Sequence, residues 1–173
     1  MILETERLQL HELDTGDASL ILALLNEPAF IRNIADKNVR NHEDAVGYLR
    51  DGPLASYAAH GFGLYRVRLK HDNVPIGICG LIQRDTLDHP DLGYALLTRH
   101  SGRGYATEAA AAVLGHAYQQ LDLARVLAVT APDNRSSIRV LEKLGFRFEK
   151  MIVLGDKACA SRLFIHDRCS RYS

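Results

Sequence analysis

The sequence predicts an α/β sandwich built on a mixed sheet, and three observations predict it. Short alternating or β-branched apolar runs fill much of residues 62–97, which is strand patterning. Two helical stripes follow, separated by the continuous, mainly apolar stretch "ARVLAVTA" at 124–131, as expected of a central strand covered on both faces. The chain has 173 residues, 47% hydrophobic and 24% charged, so one domain spanning 1–173 can bury a sizeable core. The resulting order, strands first, then strand, helix, strand, helix, strand, strand, requires helices packed on a sheet.

Each element has its own local signal. "ERLQLHEL" at residues 6–13 alternates Leu8 and Leu10 with polar neighbours, a half-buried strand. "GDASLILALLNEP" reads as a helix capped near Asp17 and stopped before Pro28. A second helix is expected from Asn41, with acids in its first turn and Gly52 near its end; residues 27–60 are otherwise the least regular part. "FGLYRVRL" and "PIGICGLI" are two strands joined through "KHDNV", and "DLGYALL" at residues 91–97 is a third after Pro90. Beyond Gly104, Ala106, Ala109, Ala110, Val113, Ala117 and Leu121 form a helical stripe whose small side chains let it lie close to a sheet. "NRSSIRVLEKLGF" carries cap residues Asn134, Ser136 and Ser137, a buried side of Ile138, Leu141 and Leu144, and Gly145 as its stop. "FRFEKMIVL" and "SRLFIH" are the last two strands, followed by a polar tail ending in Ser173.

Composition excludes several function classes. Lys plus Arg number 21 and Asp plus Glu number 21, so no net field draws the chain to nucleic acid or an anionic membrane, and any bound anion must be held locally. The first residues show no secretory signal, and the apolar run at residues 109–114 falls far short of the ~18 a spanning helix needs. The three cysteines, Cys79, Cys159 and Cys169, form no C-x-x-C pair and suit reduced thiols in the cytoplasm. The eight histidines are dispersed without ligand spacing, so no metal site is expected.

The segment "TRHSGRGYATEA" at residues 98–109 carries the functional signal. It sets Gly102 and Gly104 between a strand and a long helix, where free first-turn amides and the helix dipole attract an anion. Arg99, His100 and Arg103 add positive charge there. No Lys-Ser/Thr follows Gly104, so this is not a nucleotide-triphosphate loop; Thr107 stands where a dinucleotide fingerprint needs its third glycine.

The pattern Arg99-x-x-Gly102-x-Gly104 resembles the pyrophosphate signature of the GNAT superfamily of N-acetyltransferases. "GYALLTRHSGRGYATEAAAAVL", "APDNRSSIRVLEKLGFRFEK" and "LETERLQLHEL" are similar to the corresponding stretches of its RimJ and RimL type, the ribosomal-protein alanine acetyltransferase group. The resemblance covers residues 3 to about 150 and implies a mostly antiparallel mixed sheet of about seven strands, splayed into a V between 91–97 and 124–131. It implies that acetyl-CoA enters this V. Backbone groups of Leu96 and Leu97 would pair with the pantetheine arm, and the amides of Gly102, Arg103, Gly104, Tyr105 and Ala106 would hold the pyrophosphate. Asn134 would contact the cofactor arm.

The implied reaction is direct attack of a primary amine on the thioester, the acceptor being a protein N-terminus or a small molecule. It needs a base, a stabilised carbonyl oxygen and a proton for the departing thiolate. By the resemblance, Asp91 stands at the strand position of a catalytic carboxylate, with His89 as the substitute; the bland alternative is a turn cap. The superfamily's usual acid, a tyrosine on the last helix, is replaced by Leu141, which directs attention to Ser137 one turn earlier. Residues 27–60 and the final strands are expected to line the acceptor side, offering Glu27, Asp36, Glu43, Asp44 and Asp51 to a cation. Homodimerisation is a family tendency. Two other readings compete: a catalytically silent CoA-binding sensor or interaction module, suggested by the missing tyrosine, and a dinucleotide-dependent oxidoreductase.

Overall fold

The structure, a computed structural model, describes residues 1–155 and 159–169; residues 156–158 and the end of the expected polar tail, 170–173, lie outside the described residues. Its frame is an eight-stranded sheet formed by β1 (Leu3–Glu4), β2 (Leu8–Glu12), β3 (Leu64–Leu69), β4 (Pro75–Ile82), β5 (Asp91–Leu96), β6 (Arg125–Thr130), β7 (Arg147–Ile152) and β8 (Ser161–Asp167). The spatial order is β1-β2-β3-β4-β5-β6-β8-β7, all neighbours antiparallel except β5 and β6. The expected count of about seven rises to eight because Leu3 and Glu4 pair with Leu10 and Gln9.

The helices are α1 (Ala18–Leu25), α2 (Pro28–Asn33), α3 (His42–Leu49), α4 (Ala55–His60), α5 (Tyr105–Gln119) and α6 (Arg135–Lys143). Two expected boundaries shift. Asp14, not Asp17, caps the entry to α1: its side chain accepts from the Gly16 amide, while Asp17 reaches back to the Asp14 amide as the other half of a capping box. The chain also does not stop at Gly52. A π turn at Arg50–Leu54 absorbs Pro53 and carries the helical path into α4, which ends at Gly61. A proline lacks the amide that a regular turn requires, and the wider turn accommodates it. Asn41 does cap α3, accepting from Asp44 N at 2.8 Å.

Alternation along β5 sorts the two faces. Leu92, Tyr94 and Leu96 pack with α5 and α6, where Ala109, Ala110, Val113, Leu114 and Leu141 are buried. Ala95 and Leu97 pack on the opposite face with α1 and α3, among Ile21, Leu24, Leu25, Ala45 and Leu49. The alanines of α5 bring that helix close over the centre of the sheet. Among the described residues no helix is long and apolar enough to cross a membrane.

Candidate active site

The site begins where the sheet comes apart. β5 and β6 are parallel and share the single register pair Asp91↔Leu127, closed by Leu127 N on Pro90 O at 2.9 Å. Above that point they diverge, and a cleft of about 520 Å³ opens between them and runs through both faces of the sheet. The Leu97 amide donates to Ile76 O, on the β4 side, and Pro90 O faces β6. Strand alternation therefore turns the backbone groups of Leu92, Tyr94 and Leu96 toward the cleft. Leu96 lines the cleft, as expected. Leu97 does not: Ile76 takes its amide, His100 takes its carbonyl at 2.9 Å, and its side chain is buried against α1 and α3.

One end of the cleft is the loop before α5. Gly102 and Gly104 both hold left-handed backbone, φ 75° and 80°, which glycine adopts without the penalty an L side chain carries. This turns the chain into α5 with no side-chain cap. The first helical bond is Glu108 N to Gly104 O at 3.0 Å, so the preceding amides of Tyr105, Ala106 and Thr107 remain open at the positive end of the dipole. Gly102, Gly104, Tyr105 and Ala106 line the cleft; Arg103 is exposed outside it.

Three side chains that local sequence signals did not single out hold this loop. Glu108 accepts from Thr5 Oγ1 at 2.6 Å, Arg7 N at 2.9 Å and Arg7 Nε at 2.6 Å. Arg7 also donates to Arg103 O at 3.0 Å and lies 4.6 Å from the centre of the Tyr105 ring. Burial tends to raise the Glu108 pKa, but the Thr5 and Arg7 hydrogen bonds outweigh it and hold the carboxyl below its usual value. On the other flank Glu27 accepts from Thr98 N at 2.8 Å and Thr98 Oγ1 at 2.5 Å, so it braces the loop instead of meeting a cation. At His100, burial, with Arg99 and Arg103 nearby, lowers the pKa and so disfavours the charged form.

The wall opposite β5 on this face is α6. Asn134 caps it, Oδ1 accepting from Ser137 N at 3.3 Å and Ser136 Oγ at 3.1 Å, and Gly145 ends it at φ 89°. Ser137 Oγ lies 2.8 Å from the Tyr94 hydroxyl, which also donates to Ser137 O at 3.2 Å. Asn134, Ser137 and Tyr94 line the cleft, and burial pushes the Tyr94 phenol up to about 12, so it is a neutral hydroxyl at any working pH. Leu141, one turn on, is 1% exposed core and has no proton to give.

Asp91 stands at the floor of the splay, 2% exposed, on the α1 and α3 face. Its partner is Arg84, Nε to Oδ1 at 2.8 Å and Nη2 to Oδ2 at 3.4 Å. Burial raises its pKa while the guanidinium pulls it back down, leaving the carboxyl above its usual value. It is a buried, paired carboxylate lining the cleft, which a turn cap would not be. His89 is half-buried and does not line the cleft. The arrangement thus offers a loop with open first-turn amides and a hydroxyl pair on one face, and a carboxylate on the other.

Comparison with known proteins accounts for this geometry. The acetyltransferase (GNAT) domain family matches residues 7–147. The "Uncharacterized N-acetyltransferase YoaA" of Bacillus subtilis is 29% identical over 153 residues, covering 87% of this chain and 85% of its own. Among solved structures, an acetyltransferase from Agrobacterium tumefaciens superposes with a TM-score of 0.82 at 24% identity, covering 96% of this chain and 94% of that one. RimL, the ribosomal L7/L12 α-N-protein acetyltransferase solved with coenzyme A, has a TM-score of 0.82 at 16% identity over 96% of this chain and 97% of its own. The splayed β5–β6 pair and the uncapped, glycine-turned start of α5 agree with the family match, and the chain belongs to the GNAT acetyltransferase family, enzymes that use acetyl-CoA as cosubstrate.

Proposed function

We propose that the protein transfers the acetyl group of acetyl-CoA to a primary amine by direct attack within a ternary complex. The observation that carries this reading is the cleft itself, which joins an anion-holding loop on one face to a buried carboxylate on the other. Acetyl-CoA supplies the thioester carbonyl. The open amides from Gly102 to Ala106 hold its diphosphate, the outward backbone of Leu96 pairs with the arm, and Asn134, whose Oδ1 is engaged in the cap, donates from Nδ2. Tight turns at Gly102 and Gly104 let phosphate oxygens approach the main chain.

Acid and base lie on opposite sides of the sheet, which suits a carbonyl carbon attacked from one side while the leaving sulfur departs on the other. Asp91 accepts the amine proton, directly or through water, as the N–C bond forms. Ser137, oriented by Tyr94, gives its hydroxyl proton to the thiolate as the C–S bond breaks and regains one from solvent, to which Asp91 in turn releases the amine proton. The base has modest work if the acceptor is an α-amine. Such a group, with pKa ~8, is about one-tenth neutral at pH 7, whereas a lysine at ~10.4 is neutral about once in several thousand. A cytoplasmic setting fits the free thiols of Cys79, Cys159 and Cys169.

The test is free-thiol appearance with a panel of amines and peptides, the acetylated product identified by mass. Thiol release that depends on an acceptor supports transfer. Stabilisation by acetyl-CoA without thiol release from any acceptor would instead select a silent CoA-binding module, and stabilisation by NAD alone an oxidoreductase.

A further inference from the structure

The acceptor end of the cleft is walled by apolar side chains around a single carboxylate. On the α1 and α3 face the sheet register sets Ile78 opposite Ala95, Gly80 opposite Gly93 and Ile82 opposite Asp91. Gly93 therefore leaves β5 without a side chain between Ala95 and the Asp91 carboxylate. A Cβ there would lie 2.9 Å from Ile82 Cδ1 and 3.5 Å from Leu64 Cδ2, so those two side chains border the hollow. Phe30 from α2 and Tyr48 from α3 line the same cleft. Phe30 and Ile78 belong to the buried cluster under α1 and α3, Tyr48, Leu64 and Ala95 are its half-buried edge, and the apolar surface that this edge leaves uncovered lines the cleft.

The carboxylate brings no surplus negative charge to this wall. Among the described residues Asp91 is the one acid that lines the cleft, and Arg84 binds it through Nε at 2.8 Å and Nη2 at 3.4 Å. Glu27 is bonded to Thr98, while Asp36 and Asp44 accept from Arg40. Glu43 and Asp51 border a separate surface depression. The remaining polar residues at this end are Asn33 and the exposed Lys37. A polycation would meet no carboxylate beyond the one that its reacting amine needs.

We propose that the acceptor carries an apolar substituent on the carbon that bears its amine, an alkyl or aryl group that fills the hollow over Gly93 while the amine reaches Asp91. This rests on the acetyl-transfer reading and narrows it to a substrate class. Asp91 and Gly93 share a face two residues apart, about 7 Å along β5, a span that one amino-acid-sized acceptor covers. Each methylene taken from water into such a hollow favours binding about three- to fourfold. A hydroxyl or ammonium of the same shape would lose its hydration against these walls without gaining a partner. The same chemistry belongs to the first side chain of a peptide and to a small alkyl- or arylalkylamine.

Steady-state thiol release on the wild-type enzyme tests this. The panel is the straight-chain amines from ethylamine to pentylamine, phenethylamine, ethanolamine, putrescine, and decapeptides beginning with glycine, leucine, phenylalanine or lysine. The alkylamines share one amine basicity, so differences among them report packing. The expected kcat/KM rises about threefold or more per methylene until the hollow is filled, with ethanolamine below propylamine and putrescine below pentylamine, their apolar counterparts in shape. Among the peptides, leucine and phenylalanine should lead glycine and lysine by about tenfold or more. A gain confined to the peptides identifies a protein terminus, and one confined to the amines a small molecule. Gly93→Ala should lower the ratio of kcat/KM for the best apolar acceptor over that for its smallest counterpart, ethylamine or the glycine peptide, about 3- to 10-fold, with melting temperature as control. The wild-type series decides independently of how that variant folds. A flat alkyl series together with equal or better turnover of the lysine or glycine peptide overturns the inference while transfer itself stands, as does a Gly93→Ala enzyme of unchanged stability and unchanged ratio. Absence of thiol release from every acceptor overturns the transfer reading, and this inference with it.

Discussion

The hydroxyl of Tyr94 on β5 and the hydroxyl of Ser137 on α6 lie 2.8 Å apart across the cleft, linking the two walls where the sheet has opened. The pair places two part-buried hydroxyls one turn from Leu141, which has none. It also fixes one Ser137 rotamer, because Tyr94 engages both the side chain and the carbonyl of that residue.

If Ser137 protonates the leaving thiolate, Ser137→Ala should lower kcat about 10²-fold while KM for acetyl-CoA changes little. Tyr94→Phe should lower kcat less, and adding it to Ser137→Ala should cost little more, since the second hydroxyl acts through the first. Single-turnover kinetics on the three variants, with melting temperatures as control, reads this out. Additive losses would mean that the two hydroxyls act separately.

Asp91 gives a pH signature. Burial holds its pKa above the ordinary carboxylate value, so if Asp91 is the base it is lost by protonation at a higher pH than a solvent-exposed aspartate would show. Wild-type kcat/KM should therefore fall on the acid side through that raised value. Asp91→Asn should abolish the limb and reduce kcat about 10²-fold. A pH–rate profile of the variant that keeps the acid limb assigns the base to another group.

Gly104→Ala tests the loop. At φ 80° an alanine costs about 1–2 kcal/mol of backbone strain, and its Cβ would lie 3.3 Å from Arg7 Nη2, which must shift. The expected outcome is a lower melting temperature and a KM for acetyl-CoA raised about tenfold, with the acceptor KM unchanged. Glu108→Gln should weaken the same loop through loss of the charged pair with Arg7, with a smaller loss because the arginine is 43% exposed.

Stability should fall in mild acid. His166, hydrogen-bonded to Tyr118 at 2.7 Å, and His116 both have pKa values lowered by burial. The unfolded chain binds protons at these groups below about pH 6.5 while the folded chain resists, so stability present above that pH is lost as pH falls through the lowered values. Urea denaturation at stepped pH should show the midpoint dropping below about pH 6.5, and His116→Gln should lessen the slope. A flat profile from about pH 7 to 5 would remove the histidines from the account.

Much of this molecule was legible residue by residue. The Gly102–Gly104 turn, the Asn134 cap, the Gly145 stop and the strand alternation of β3 are all properties of a few adjacent residues, set by backbone torsions and side-chain period. Even the shifted boundaries, Asp14 for Asp17 and the π turn past Gly52, have local causes.

Only the tertiary structure decided which side chains meet. Arg7 and Glu108 are separated by 101 residues, Tyr94 and Ser137 by 43, and Glu27 and Thr98 by 71. Such pairs depend on sheet order and on which face a strand presents, and neither is written in the spacing of nearby residues. Glu27 shows the consequence: its charge was visible in the sequence, but its engagement by Thr98 depends on a partner that folding brings from 71 residues away. The sequence thus determined the elements and the glycine turn before α5, while long-range packing determined which side chains meet around the cleft.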